Sequence, residues 1–275
     1  MADVKGDEPL DLELRDKVAV VTGGNRGIGK AVAWQLAKEG VDVALLARDR
    51  ALLEAAAAEI AQATKRRVKC YVADTGDDAA VKTAIAQVLG EFGRVDILVN
   101  CAAAVGGVGK PPKLAEITNE PFFADMNVKV MGYVRTIREI APHMAAQGRG
   151  RIINISGLAA LSTGSTIGSI RNVGVAALTK NLADELAPSG ISVVCVHPGR
   201  TRTEKTAEFV ERQAEAQGVA PDEVERRLAA GNLVGQVITA EEIAYLVAFL
   251  ASPKSIAING DSIAAGGGSP GPIHY

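Results

Sequence analysis

Val18-Ala-Val-Val-Thr22-Gly-Gly-Asn-Arg-Gly27-Ile-Gly29 is the stretch that decides how this chain folds. Its first residues are apolar and valine-rich, as in a buried strand. Behind the glycines, Ile28, Ala31, Val32 and Leu36 recur at the spacing of one helical face. A strand that turns through glycines straight into a helix is read as a loop for a dinucleotide pyrophosphate. Gly23 permits the tight turn, Gly27 lets the backbone approach the phosphates, and Gly29 lets helix and strand pack closely. The helix N-terminus adds unpaired N–H groups and the positive end of its dipole.

The pattern continues outward. Apolar runs recur at Val18–Val21, Val41–Ala47, Val68–Ala73, Val95–Val99, Ile152–Ile155, Ile191–Val196 and Ile256–Ala265. Continuous Val/Ile runs suit strands buried on both faces, as in parallel sheets. Helical spacing fills the intervals, with one segment from about Glu120 to Gln147 and another from about Gly168 to Ala187. The alternation implies one α/β domain, a doubly wound parallel sheet with helices on both faces. The expected organisation is an N-terminal arm over residues 1–16, read as frayed, a domain over 17–268, and a turn-rich tail over 269–275. Residues 201–236 break the rhythm and are expected to project from the sheet as one or two helices.

Composition removes several functions. Among 275 residues, 30 Lys and Arg nearly balance 32 Asp and Glu, so no basic excess points to nucleic acid. No apolar run has the roughly 18 residues of a membrane helix, and the acidic start MADVKGDEPLDLELRD has no apolar core of a signal peptide. The three cysteines, Cys70, Cys101 and Cys195, lie far apart in apolar runs. They are expected to be buried free thiols, with no disulfide framework and no metal site, in a reducing cytoplasmic compartment.

The glycine spacing resembles the TGxxxGIG pattern of the short-chain dehydrogenase/reductase family, and further motifs match in order from about Lys17 to Gly268. Asp74 matches the aspartate at the adenine. Asn100-Cys-Ala-Ala resembles the family's Asn-Asn-Ala-Gly, with two of its four residues changed. Asn127 matches the helix asparagine of the catalytic tetrad, and Gly150-Arg-Ile-Ile-Asn-Ile-Ser156 the strand leading to the catalytic serine. His197-Pro-Gly199 with Thr203 matches the segment near the nicotinamide, and Glu241-Glu-Ile-Ala244 and Asn259-Gly260 match the C-terminal pattern. The resemblance implies a Rossmann sheet of about seven strands, a tetramer or dimer, a small-molecule substrate, and cofactor contacts from Gly23, Asn25, Arg26, Gly27, Ile28, Gly29, Arg48, Asp74, Asn100, Pro198, Gly199 and Thr203.

The second apolar run ends Ala47-Arg48-Asp49. An acidic side chain near position 47 would accept hydrogen bonds from the ribose 2′-hydroxyl of NAD, and Ala47 cannot. A guanidinium at Arg48, with Arg26 in the loop, pairs well with a 2′-phosphate. NADP(H) is therefore the expected cofactor, with Asp49 as a complication because it could also approach the ribose.

In the family a tyrosine handles the proton at the substrate oxygen, and a lysine four residues later lowers its pKa and holds the ribose. This chain has no tyrosine between Tyr133 and Tyr245 and no lysine between Lys129 and Lys180. Aligned on Ala177-Leu-Thr-Lys180, Gly168 and Asn172 take the two positions; aligned on the strand end, Ile170 and Gly174 do. Two readings follow. In one, an oxidoreductase works with a non-standard site, with Asn127, Ser156, Arg171 and Asn172 as the catalytic candidates and Ser165 and Ser169 nearby. Arg171 or Asn172 would hold the ribose, and an arginine could stabilise a developing alkoxide. In the other, the chain is a catalytically silent NADP-binding sensor or assembly partner. A weaker third is a hydro-lyase or epimerase that keeps its NADP bound.

Smaller features carry two meanings each. Asn127 either serves a proton relay or bridges two strands. His197 titrates in the right range for acid–base work, yet its position suits a hydrogen-bonded structural histidine. Tyr275 and His274 end the tail, from which Tyr275 could act on a neighbouring subunit. Residues 201–236 occupy the family's substrate-lid position, where Glu204, Lys205, Glu208, Glu211 and Arg212 read as a solvated helix face and Phe209 as a lid-lining residue.

Overall fold

The Val/Ile runs lie side by side and all point the same way. The computed structural model describes residues 10–103 and 111–271 of the chain. Its strands are β1 (Val18–Thr22), β2 (Asp42–Ala47), β3 (Val68–Val72), β4 (Ile97–Asn100), β5 (Gly150–Ile155), β6 (Ile191–Pro198), β7 (Thr201–Arg202), β8 (Ile238–Thr239) and β9 (Ser262–Ala265). Seven form one parallel sheet in the order β3-β2-β1-β4-β5-β6-β9, while β7 and β8 pair separately. The helices are α1 (Gly27–Lys38), α2 (Arg50–Thr64), α3 (Asp78–Phe92), α4 (Asn119–Met126), α5 (Gly132–Ala146), α6 (Thr166–Leu186), α7 (Glu204–Gln217), α8 (Pro221–Ala229) and α9 (Ala240–Ala251). None is long and apolar enough to cross a membrane.

Successive strand residues face opposite sides. Ala19, Val21, Val43, Leu45, Ile97 and Val99 join one core with α1, α2 and α9. Val20, Ala44, Leu46 and Leu98 join the other with α3, α5 and α6. Chain order reverses direction between β1 and β4, and a crevice opens beyond their carboxyl ends, where open α/β sheets bind ligands.

Three expectations need correction. The described part of the N-terminal arm is not frayed: Leu14 is fully buried in the core, the Asp16 amide donates to Gly40 O, and Ser252 Oγ donates to Leu12 O. Its apolar residues find a ready surface beside α9. The last apolar run is a strand only over Ser262–Ala265, because Gly260 turns the chain with φ +77° and Ile256 is exposed. Of the three free thiols only Cys195 is buried, while Cys70 and Cys101 are half-buried. The segment from Glu120 to Gln147 is helical but interrupted: a π-helical turn, Asn127–Met131, joins α4 to α5.

A polar chain crosses the sheet beneath the crevice. Thr136 Oγ1 on α5 donates to Asn100 Oδ1 (2.7 Å), Asn100 Nδ2 donates to Asn154 Oδ1 (3.0 Å), and Asn154 Nδ2 donates to Thr179 Oγ1 on α6 (3.0 Å). All four residues are fully buried. Each partner is obligatory, because an unpaired buried polar group costs about 1–3 kcal/mol. Asn154→Ala orphans the Asn100 amide nitrogen and removes the donor to the Thr179 hydroxyl, which keeps its bond to Val175 O, and should lower unfolding free energy by about 1–3 kcal/mol in urea denaturation. A loss under about 1 kcal/mol would mean that the chain of bonds carries no stability.

Candidate active site and cofactor cleft

The glycine loop leaves β1 and enters α1 along the floor of a cleft of about 620 Å³. That volume lies in the range of small-molecule and cofactor sites. Gly23 sits at φ +67°, and a side chain there would press within 3.1 Å of the Ala102 backbone. Gly29 has no room at all, since a Cβ would lie 2.3 Å from Gly23 O. The loop therefore presents bare backbone. Asn25, Arg26, Gly27, Ile28 and Gly29 line one wall, with Ala47, Arg48, Asp49 and Asp74 at one end and Lys129, Ile155 and Ser156 at the other.

The loop already holds an anion. The Gly27 amide donates to Glu204 Oε2 at 3.1 Å, so a carboxylate from the start of α7 stands on the N-terminus of α1. Carboxylates and phosphates favour that place for the same reason, unpaired N–H groups and a positive dipole end. Lys205 also lines the cleft, and burial and the nearby Arg26 guanidinium lower its pKa. Glu204 is exposed, as a solvated helix face requires, but its carboxylate and the half-buried Lys205 are not idle surface charges: the first turn of α7 folds onto the loop. A pyrophosphate fits this cradle of amides and cations.

At the opposite rim Arg48 is exposed and makes a 3.6 Å ion pair with Asp74. Asp49 is committed elsewhere, because its Oδ1 accepts the Leu52 amide and caps α2. Asp74 also accepts the Gly76 amide at 2.8 Å. Thr203, the residue before α7, lines the cleft against Gly27.

Several sequence candidates do not face the cleft. Asn100 is spent in the buried polar chain, its amide satisfied on both sides. Pro198 is buried in β6 in register with Ala265, and Gly199 packs so tightly that a Cβ would lie 2.9 Å from Gly266 Cα. Asn127 Nδ2 donates to Gly76 O, and its Oδ1 accepts Arg135 Nη2 at 2.7 Å. That residue ties the β3–α3 loop to the π turn instead of serving the cleft. Arg171 is closed on Asp125, with Nη1 donating to both carboxylate oxygens at 3.0 and 2.9 Å. Ser165 caps α6 at Gly168, and Ser169 Oγ donates to Ser162 O. His197 is buried, and its Nδ1 accepts the Gly157 amide. Burial first and then the Lys129 charge lower its pKa, so it is a neutral structural imidazole. Tyr275 and His274 lie outside the described residues.

Ser156 does line the cleft, and its Oγ donates to Asn172 O at 3.0 Å. Asn172 stands just behind, buried, and its Oδ1 accepts from Lys129 Nζ at 3.3 Å and from Arg171 Nε at 3.3 Å. Lys129 is the residue that sequence reasoning missed. It lies in the π turn, is almost fully buried, and also donates to Ser156 O at 2.9 Å. Burial, then the Arg171 charge, pulls its pKa down to about 8. The one signal in the sequence was a lysine set among apolar neighbours in Val128-Lys-Val-Met131.

Comparison with known proteins agrees with this geometry. Residues 17–214 match the family described as short chain dehydrogenase. The short-chain reductase protein NovJ of Streptomyces niveus is 36% identical, over 93% of this chain and 95% of its own length. The NADPH-dependent reductase BacG of Bacillus subtilis is 30% identical, over 92% of this chain and 97% of its own. The L-sorbose reductase of Gluconobacter frateurii, solved with NADPH and L-sorbose, superposes with a TM-score of 0.90 at 27% identity, covering 96% of this chain and all of that one.

The contact between Glu204 and Gly27 makes a direct prediction. The Glu204 carboxylate must leave before a pyrophosphate can bind, so Glu204→Gln should tighten NADP⁺ binding by roughly 3- to 10-fold at low salt, read by calorimetry. Weaker binding would show that the carboxylate assists the nucleotide rather than competing with it.

Proposed function

The chain belongs to the short-chain dehydrogenase family, and we propose that it is an NADP(H)-dependent oxidoreductase working on a small carbonyl or alcohol substrate through a non-standard active site. The observation that carries the cofactor choice is the end of β2. Arg48 stands exposed at the rim, ion-paired with Asp74, Arg26 is in the same cleft, and Asp49, the carboxylate next to Arg48 at the end of β2, is used as a helix cap. The NADPH-dependent relatives support the same reading.

NADPH, once bound, supplies the hydride for reduction. The chain's own residues do the rest. The amides of the Gly23–Gly29 loop hold the pyrophosphate, Arg48 and Arg26 the 2′-phosphate, and Asp74 the adenine side. Thr203 closes on the loop from above, and residues 201–236 serve as a lid, with α7 resting on the phosphate end. Pro198 and Gly199 would act only indirectly, by fixing the end of β6 against Ala265 and Gly266.

In the frame aligned on Ala177-Leu-Thr-Lys180, Gly168 and Asn172 take the positions of the family's tyrosine and lysine; in the frame aligned on the strand end, Ile170 and Gly174 do, with Gly157 at the serine; in both, Ser156 stands next to the end of β5. Asn172 positions Ser156 through its carbonyl, and Arg171 acts from behind through Asn172 rather than on substrate. Exposed Phe123, Met131, Ile170 and Val173 lie on α4, the π turn and α6, which pack against one another. An apolar surface of this kind suits a homodimer or homotetramer, in the cytoplasm, where free thiols persist.

A second reading, a silent NADP-binding sensor or assembly partner, draws on the engagement of Arg171 by Asp125 and of Asn127 by Gly76 and Arg135. Nucleotide-dependent turnover separates the two readings. For the cofactor, Arg48→Ala should weaken NADPH binding by roughly 10- to 100-fold and leave NADH within about threefold, since charge-assisted bonds to the 2′-phosphate are worth about 1.5–3 kcal/mol. Equal losses for both nucleotides would remove Arg48 from the 2′-phosphate.

A further inference from the structure

Lys129 is a cation without a counter-charge at the wall of the cleft. Its ammonium is held by two neutral acceptors, Ser156 O and Asn172 Oδ1. Among the described residues, no carboxylate lies within ion-pairing distance of it. Of the charged and titratable groups that α4, β4, β6 and α6 turn toward it, Asp125 on α4 is the one carboxylate among the described residues that favours the charge, and it acts from a distance with weaker effect than the opposing Arg171. Asp125 on α4 is engaged by Arg171 on α6, which adds positive charge. Burial pushes the Cys101 thiol beyond β4 up to about 12 and the Cys195 thiol on β6 up to about 11, so both stay neutral. His197 on β6 is a neutral imidazole. A buried charge in such company is costly unless something that enters the cleft balances it.

The other groups near this end are poor proton donors. The Ser156 hydroxyl already gives its proton to Asn172 O. The Tyr133 hydroxyl is fully buried, donates to Ile155 O, and has its pKa driven up by burial. The Arg171 guanidinium is closed on the Asp125 carboxylate. Among the described residues at the Ser156 end, Lys129 alone combines a place on the cleft wall, a spare N–H and a labile proton.

We propose that Lys129 is the catalytic acid of this site, donating a proton to the substrate carbonyl oxygen and balancing the negative charge that forms there. The inference rests on the reductase reading given above. The carbonyl carbon gains a hydrogen and an electron pair from the nicotinamide. The C=O π pair moves onto oxygen, an O–H bond forms, and the Lys129 Nζ–H bond breaks. The neutral amine then recovers a proton from water. An acid whose pKa lies near the working pH suits this exchange. Lys129 lies in the π turn that joins α4 to α5, and from there its Nζ reaches Ser156 O.

The test uses the full chain. The ¹³Cε signals of labelled lysine are titrated by NMR, and the Lys129 signal is identified by its absence in Lys129→Met. NADPH affinity and NADPH-driven reduction of ethyl acetoacetate are then measured for wild type, Lys129→Met and Lys129→Arg. Lys129 should titrate near 8. Wild-type reduction should be full below that pH and fall above it, as the ammonium loses its proton. Lys129→Met should lose kcat by roughly 100-fold or more while NADPH affinity stays within about threefold. Lys129→Arg should recover part of the rate and lose the alkaline fall, because its charge persists. A Lys129 pKa above about 10, or a Met variant as active as wild type, overturns the role of Lys129 and leaves the reductase reading standing. A wild type that binds NADPH but reduces no carbonyl probe overturns both.

Discussion

The carbonyl oxygen of Gly23 lies where any side chain on Gly29 would have to be, 2.3 Å from its Cβ position. That single contact fixes how tightly the chain turns from β1 into α1, and much of the molecule follows from it. The turn leaves the first amides of α1 pointing into the crevice at the sheet's switch point, so an anion must be met there. In the free protein the Gly27 amide meets Glu204, which brings the start of α7 down onto the loop. One steric fact thus links the sheet, the phosphate site and the segment above it.

Charge is distributed unevenly along the cleft. At the phosphate end, the chain supplies its own temporary partners: Glu204 for the loop and Asp74 for Arg48. At the Ser156 end, no carboxylate among the described residues pairs with Lys129. The first arrangement lets a nucleotide enter by exchanging one anion for another. In the proposed role of Lys129, the second would meet charge that appears only during reaction, which is where preorganised electrostatics contributes most.

The sheet and the loop were legible in the sequence because both rest on local constraints. Runs such as Val41–Ala47 and Ile191–Val196 read directly as strands buried on both faces, and the glycines at 23, 27 and 29 match a backbone that admits nothing larger. The reacting end was not legible, because its geometry comes from contacts distant in sequence. Arg171 could not be known to pair with Asp125, which is 46 residues away, nor Asn127 with Gly76, 51 away. Asn100 matched a motif, but its amide direction is set by Thr136 and Asn154. Lys129 was hidden by the π turn, which shifts the helical register by one residue and leaves no mark in composition or period. Glu204 and Lys205 looked like surface charges because nothing local shows that α7 begins against the loop.

The most direct measurement is a crystal structure of the full chain with NADP⁺. The 2′-phosphate should lie against Arg48, the pyrophosphate on the Gly27 amide with Glu204 displaced, and Lys129 Nζ should face an open space beside nicotinamide C4 large enough for a carbonyl compound. A nicotinamide that is disordered, or that is walled from Lys129 by Ile167 or Ile170, would contradict this. The nucleotide would then be a bound or sensed ligand and not a reactant.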